Sequence, residues 1–180
     1  MNKIPGTIFK TFEYICNKNP AASFLISPSR GANDLKEISY KDTLEKANGI
    51  ANIFLDKQYG SNIRVATLLG STPEHYILKL ALNKIGISVV PINPDYLPDE
   101  TSYLLEDSRA TVAICSELFL SQLQTAVNLK GISVPIVTYE EIDSLPRSQT
   151  VSRGGRIEGS TEASLLYTSG TTGRPKGCIL

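Results

Sequence analysis

The sequence predicts an α/β fold, a mostly parallel sheet with flanking helices, and three observations carry that expectation. Short β-branched runs at 63–69 and 87–92 alternate with stretches whose apolar residues recur at helical spacing. The segment joining those two runs holds a helix and is too long for a hairpin, so the strands it joins should be parallel. Helix punctuation also falls where such a unit needs it, with Pro73 at a first helical position and Gly86 at an end.

Taken in order, residues 7–18 place Ile8, Phe12 and Ile15 on one helical stripe, with Phe9 and Cys16 beside it. Asn19 before Pro20 closes that helix, because a residue preceding proline is pushed out of the helical region. A strand is expected at 22–26, a loop at 27–34 around Pro28, Gly31 and Asn33, and a strand of mixed polarity near a sheet edge at 36–40. Ser39 with Asp42 three residues on has the form of a helix cap, and Leu44, Ala47, Ala51 and Phe54 then form a stripe that ends near Tyr59-Gly60. Residues 63–69 are the strongest strand. Thr72 caps a helix over 73–85 whose Ile77, Leu78, Leu80, Leu82 and Ile85 are too many for one buried face.

After the strand at 87–92 come a proline-stiffened loop at 93–98, a short helix at 99–107 and a strand at 111–115. A helix at 117–128 carries Leu120, Leu123 and Val127 on one side, and Pro135 marks the strand at 134–138 as an edge or a strand start. From Tyr139 the apolar pattern fades, and 144–160, with Pro146, Gly154, Gly155 and Gly159, is expected to be a surface connection. Ala163 begins the last strand.

Composition narrows the function. Across 180 residues, 18 basic and 18 acidic side chains cancel, which gives no electrostatic case for nucleic acid or an anionic membrane surface. Any anion must be held by a local device. Cys16, Cys115 and Cys178 have no paired spacing, and no segment reaches the ~20 apolar residues of a membrane helix, so a cytoplasmic protein without an integral membrane segment is expected. His75, the only histidine, is expected to be solvated, and Glu140-Glu141 to be a charged helix start instead of a metal pair.

The local device is at 167–177. Ser169, Thr171 and Thr172 offer hydroxyl donors, Gly170 and Gly173 let backbone N–H groups face an anion, and Lys176 adds a full charge. The order Arg174-Pro175-Lys176-Gly177 excludes the common P-loop, whose Gly-Lys pair is followed by Ser or Thr. The run Thr168-Ser169-Gly170-Thr171-Thr172-Gly173-Arg174-Pro175-Lys176-Gly177 resembles the phosphate-binding loop of the adenylate-forming enzymes, which include acyl-CoA synthetases, luciferases and peptide-synthetase adenylation domains. Two further blocks resemble that superfamily in the same order: Ile38-Ser39-Tyr40 with its following helix, and residues 82–94. Ser61-Asn62 and Ile85 depart from its usual pattern.

The resemblance implies that residues 1–180 are a truncated N-terminal portion of the superfamily's large domain. It implies ATP and Mg2+, a small carboxylic acid substrate, and phosphate binding by Thr168, Ser169, Gly170, Thr171, Thr172, Gly173, Arg174, Lys176 and Gly177. Among the branches, residues 91–93 and 17–26 most resemble ligases that join a small acid to coenzyme A, of which the crotonobetaine/carnitine-CoA ligases are the nearest type. The superfamily's Tyr-Gly-x-Thr-Glu motif, its ribose-binding Asp and its C-terminal lysine are not among these residues, so the chain alone is expected to be inactive. Alternatives are a luciferase-like or peptide-synthetase adenylating enzyme, or a non-catalytic nucleotide- or partner-binding module.

Overall fold

The computed structural model describes residues 6–28, 35–146, 157–168 and 174–180. Its centre is a four-stranded parallel sheet of β3 (Arg64–Leu68), β4 (Ser88–Pro91), β5 (Val112–Cys115) and β6 (Ile136–Thr138), in the order β4-β3-β5-β6. The register sets Ala66 beside both Val90 and Ala113, and Ile114 beside Val137.

Burial on both faces explains why these strands read as near-continuous apolar runs. Val65, Val89, Val112 and Ile114 face one core, while Ala66, Val90, Ala113 and Cys115 face the other. The first core is closed by α1 (Ile8–Lys18), α2 (Tyr40–Asp56), α3 (Pro73–Lys84) and the short α6 (Tyr139–Ser144). The second is closed by α4 (Pro98–Ser108) and α5 (Leu120–Lys130), the latter preceded by a 3-10 turn at Glu117–Phe119. This division follows from the handedness of crossovers. The chain moves from β3 to β4 in one direction and then reverses past β3 to reach β5 and β6, so right-handed connections put α3 on one face and α4 and α5 on the other.

Most local expectations match these elements, and the differences have physical causes. In α1 the buried residues are Phe9, Phe12 and Cys16, while Ile8 and Ile15 are 47% and 36% exposed. The larger rings take the inner stripe: Phe12 packs at 4.8 Å from Phe24 and 5.6 Å from Tyr40. The strand of mixed polarity is not at an edge of the main sheet. As β2 (Leu35–Ser39) it pairs antiparallel with β1 (Ser23–Pro28) in a separate two-stranded sheet, and Tyr40 already belongs to α2. The part of the expected 27–34 loop at 29–34 lies outside the described residues, and Ser27 and Pro28 end β1.

Ser39 caps α2 as expected, accepting the Asp42 N–H at 3.1 Å. Thr72 occupies the N-cap of α3 but its hydroxyl makes no capping bond. Buried Ile77, Leu78, Leu80, Ala81 and Leu82 bear out the reading of α3 as a core helix. Gly86 has φ +77, and a Cβ there would stand 2.9 Å from the Ser61 Cβ, so both backbone and space demand glycine. Pro135 directly precedes β6, which is an edge strand. The helix start expected at Glu140-Glu141 is that of α6, which is set by reciprocal bonds between Thr138 and Glu141. Of the expected 144–160 connection, 147–156 lies outside the described residues. Among the described residues no helix is long and apolar enough to cross a membrane.

Candidate functional site

The last segment enters alongside the main sheet and is held there from three sides. The Val89 N–H donates to the Ala163 carbonyl, and Val89 and Ser164 form a parallel bridge. Buried Asn83, at the end of α3, donates from Nδ2 to the same Ala163 carbonyl at 2.8 Å and to the Ile87 carbonyl at 3.1 Å. Arg64, at the start of β3, grips both carboxylate oxygens of Glu162 at 2.7 and 2.8 Å and donates to the Ser108 carbonyl at 3.2 Å. That hydrogen bond to Arg64 holds the Glu162 carboxyl below its ordinary range, and raises Arg64 in turn.

From this anchor β7 (Leu165–Thr168) runs parallel beside β4, then returns as β8 (Lys176–Ile179) in an antiparallel hairpin. Thr168, at the end of β7, and Lys176, opposite it, therefore lie at the carboxyl edge of the parallel sheet, where open α/β sheets bind ligands. A cavity of about 510 Å3 at this edge is lined by Gly70, Ser71, His75, Asn93, Tyr96 and Tyr167. A larger crevice, about 900 Å3, opens where the strand order reverses, between the ends of β3 and β5, against Leu69, Thr72, Ser116 and Phe119.

Of the expected phosphate-binding residues, Thr168, Arg174, Lys176 and Gly177 are among those the structure describes. Thr168 ends β7 and pairs directly with Lys176, the first residue of β8, and both are exposed. Arg174 is also exposed, its guanidinium carbon 5.4 Å from the centre of the Tyr103 ring. Gly177 pairs with Tyr167, and a Cβ there would meet Leu165 Cδ1 at 2.9 Å and Tyr167 Cζ at 3.5 Å. Close packing on β7 accounts for that glycine. Ser169, Gly170, Thr171, Thr172 and Gly173 lie outside the described residues, between Thr168 and Arg174.

Residues that composition and spacing did not single out surround the hairpin. The Tyr167 hydroxyl donates to Asp107 Oδ2 at 2.6 Å, and the Tyr103 hydroxyl donates to the Pro175 carbonyl at 3.2 Å. The two rings meet edge to face at 6.5 Å. Burial, then the Asp107 bond, pushes the Tyr167 phenol well above its ordinary range, so the proton stays on the phenol and is donated. The sequence signal was available: Tyr103 and Asp107 are four apart, one above the other on a helix face. His75 is half-buried against Tyr76 and not solvated, and burial, then Lys79, lowers its pKa from the ordinary 6.5. Glu140 accepts the Glu117 N–H at 3.1 Å, in keeping with a helix-start acid, and no group of three metal-ligating side chains occurs among the described residues.

A parallel sheet wound on both faces, with a hydroxyl- and glycine-rich run in the sequence directly after the strand laid beside it, is in keeping with nucleotide-binding α/β proteins. The chain belongs to the AMP-binding enzyme family, whose profile matches residues 12–180, and so to the adenylate-forming superfamily. It is 30% identical over 174 residues to tyrocidine synthase 2 of Brevibacillus parabrevis, covering 97% of this chain and 4% of that protein. It is 28% identical over 185 residues to a 4-chlorobenzoate–CoA ligase of Arthrobacter sp, covering 97% of this chain and 33% of the ligase. In fold it is similar to the N-terminal subdomain of Klebsiella oxytoca NpsA, with a TM-score of 0.78 at 23% identity over 98% of this chain and 42% of that one. The chain thus spans a small fraction of the synthase and about a third of the ligase.

Proposed function

We propose that residues 1–180 are the N-terminal portion of an adenylating large domain, with 144–160 a surface connection within it. The whole protein would activate a carboxylic acid with ATP and pass the acyl group to coenzyme A. The observation that carries this reading is the pairing of Thr168 with Lys176 at the carboxyl edge of the parallel sheet, bracketing Ser169–Gly173. That pairing sets a hydroxyl-bearing and an ammonium-bearing residue opposite each other on the two strands that flank the donor-rich run.

In the first step a carboxylate oxygen of the substrate attacks the α-phosphorus of ATP. The bond from that phosphorus to its β-bridging oxygen breaks, and pyrophosphate leaves with the electron pair. Negative charge grows on the leaving group, so donors already aimed at it lower the barrier. Ser169, Thr171, Thr172 and Lys176 would supply side-chain donors, and Gly170 and Gly173 backbone N–H groups, with Thr168, Arg174 and Gly177 completing the loop. Mg2+ would enter with the phosphates, and the loop's hydroxyl oxygens are the hard donors it takes. In the second step the coenzyme A thiol, losing its proton, attacks the acyl carbonyl and displaces AMP.

Support for the second step is narrower, since the relatives above include a peptide synthetase as well as a CoA ligase. They lend no support to the crotonobetaine/carnitine branch in particular. A small carboxylic acid as substrate is in keeping with a further NpsA subdomain structure in complex with 3-hydroxybenzoyl-AMSN. A reducing, cytoplasmic setting belongs to the same proposal and is supported by three free cysteines.

In the full-length protein, Lys176→Ala lowers carboxylate-dependent ATP–pyrophosphate exchange at least about tenfold, the scale expected for one lost donor at a developing charge. Unchanged exchange would remove the loop's role. Acyl-CoA formation on adding coenzyme A separates the ligase from a carrier-loading adenylation domain, which forms the adenylate without that thioester.

A further inference from the structure

We propose that Tyr103 and Asp107, one helical turn apart on α4, are positioning residues that latch the two legs of the phosphate hairpin and so set where Thr168 and Lys176 meet ATP. The inference rests on the phosphate reading of the loop and adds to it a device outside the loop motif.

The geometry is specific to the hairpin's two sides. Asp107 accepts from Tyr167, the residue of β7 directly before Thr168. Tyr103 donates to the carbonyl of Pro175, the residue directly before Lys176 in β8. Each leg is therefore held one residue from a candidate phosphate ligand, and both latches come from one rigid helix. The Arg174 guanidinium over the Tyr103 ring adds a third contact, on the returning leg. Helix α4 is itself fixed: Leu104 and Leu105 are buried in the second core, and its Ser108 carbonyl is bound by Arg64, whose other partner is Glu162 at the entry to β7.

A β-hairpin alone is marginal in water, and β8 is exposed along its whole length, so pairing with β7 leaves the hairpin free to tilt. Two hydroxyl bonds to the same helix remove that freedom. A displacement of about 1 Å at a donor is enough to cost on the order of a hundredfold in rate, so the latch acts on catalysis without touching substrate.

The test uses the full-length protein with Tyr103→Phe, Tyr167→Phe and the double variant, each of which removes a latching hydroxyl and keeps the ring. The expected result is a rise in KM for ATP of about fivefold for each single variant. The KM for the acid should stay unchanged, and the double variant should lose more than the product of the singles, because either latch alone still holds one leg. Hydrogen exchange of peptides covering 165–168 and 174–180 quickens in the double variant, with melting temperature within a few degrees of wild type. Unchanged exchange in those peptides, or equal rises in KM for ATP and acid, overturns the latch. Lys176→Ala serves as the control: if it leaves pyrophosphate exchange intact, the phosphate reading fails, and the hydrogen-exchange result decides the latch by itself.

Discussion

His75 shows how one side chain's environment reverses an expectation. Its place in the first turn of α3 predicts a solvated imidazole, yet it lines the cavity beside Tyr167 with its ring against Tyr76. Burial first, and the Lys79 ammonium second, lower its pKa below 6.5, so the unfolded chain binds the proton more readily than the folded one. Stability is then full above about pH 6.5 and declines as pH falls from there through the folded value. Chemical denaturation between about pH 7.5 and 5.5 should show that decline, and His75→Gln should flatten it. As the only histidine, its proton resonances give the titration directly. The cysteines follow the same physics: burial, then Glu140 and Glu141, pushes Cys115 up to about 11, which leaves it an unreactive core thiol.

At the scale of elements, helix ends were the most legible feature. Ser39, three residues before Asp42, predicts the α2 cap, and the hydroxyl both accepts the Asp42 N–H and donates to its carboxylate at 2.7 Å. Ser39→Ala should cost about 1 kcal/mol in thermal or urea unfolding, and Ser39→Asp should recover most of it. Thr138 with Glu141 has the same spacing and marks the start of α6, where Glu140-Glu141 reads as a helix start; its length was less legible, since only Tyr139 and Ile142 of its six residues are buried. The β1–β2 pair was legible as two strands but not as a separate sheet. The pair is joined to the first core through Phe24, whose ring, with that of Tyr40 just after β2, packs on Phe12 of α1.

The whole molecule depends on how the final hairpin is attached. Arg64 and Glu162 are 98 residues apart, and their bidentate pair joins the start of β3, the end of α4 and the entry to β7. Glu162→Gln should lower stability by about 2 kcal/mol at neutral pH, the scale of hydrogen bonds to a charged group. Because Arg64 depresses the Glu162 pKa, that stabilisation is complete above the ordinary carboxylate value near 4.3 and fades as pH falls through the lower folded value. The difference between wild type and variant, measured by denaturant midpoint, should therefore shrink as pH drops below about 4.

The sequence by itself determined the parallel α/β class, the order of nearly all elements and the family, because alternating cores impose near-continuous apolar strands and the anion loop is a local run of special residues. It also offers the candidate phosphate ligands as one run, since donors in such a loop come from consecutive positions. Only the tertiary structure decided that β7 and β8 pair as a hairpin laid beside β4, that His75 is half-buried, and that Tyr103 and Asp107 reach the hairpin's two legs. The hairpin's place and its two latches depend on contacts between residues 60 and more positions apart, and no local propensity or spacing encodes which distant side chain a given loop will meet.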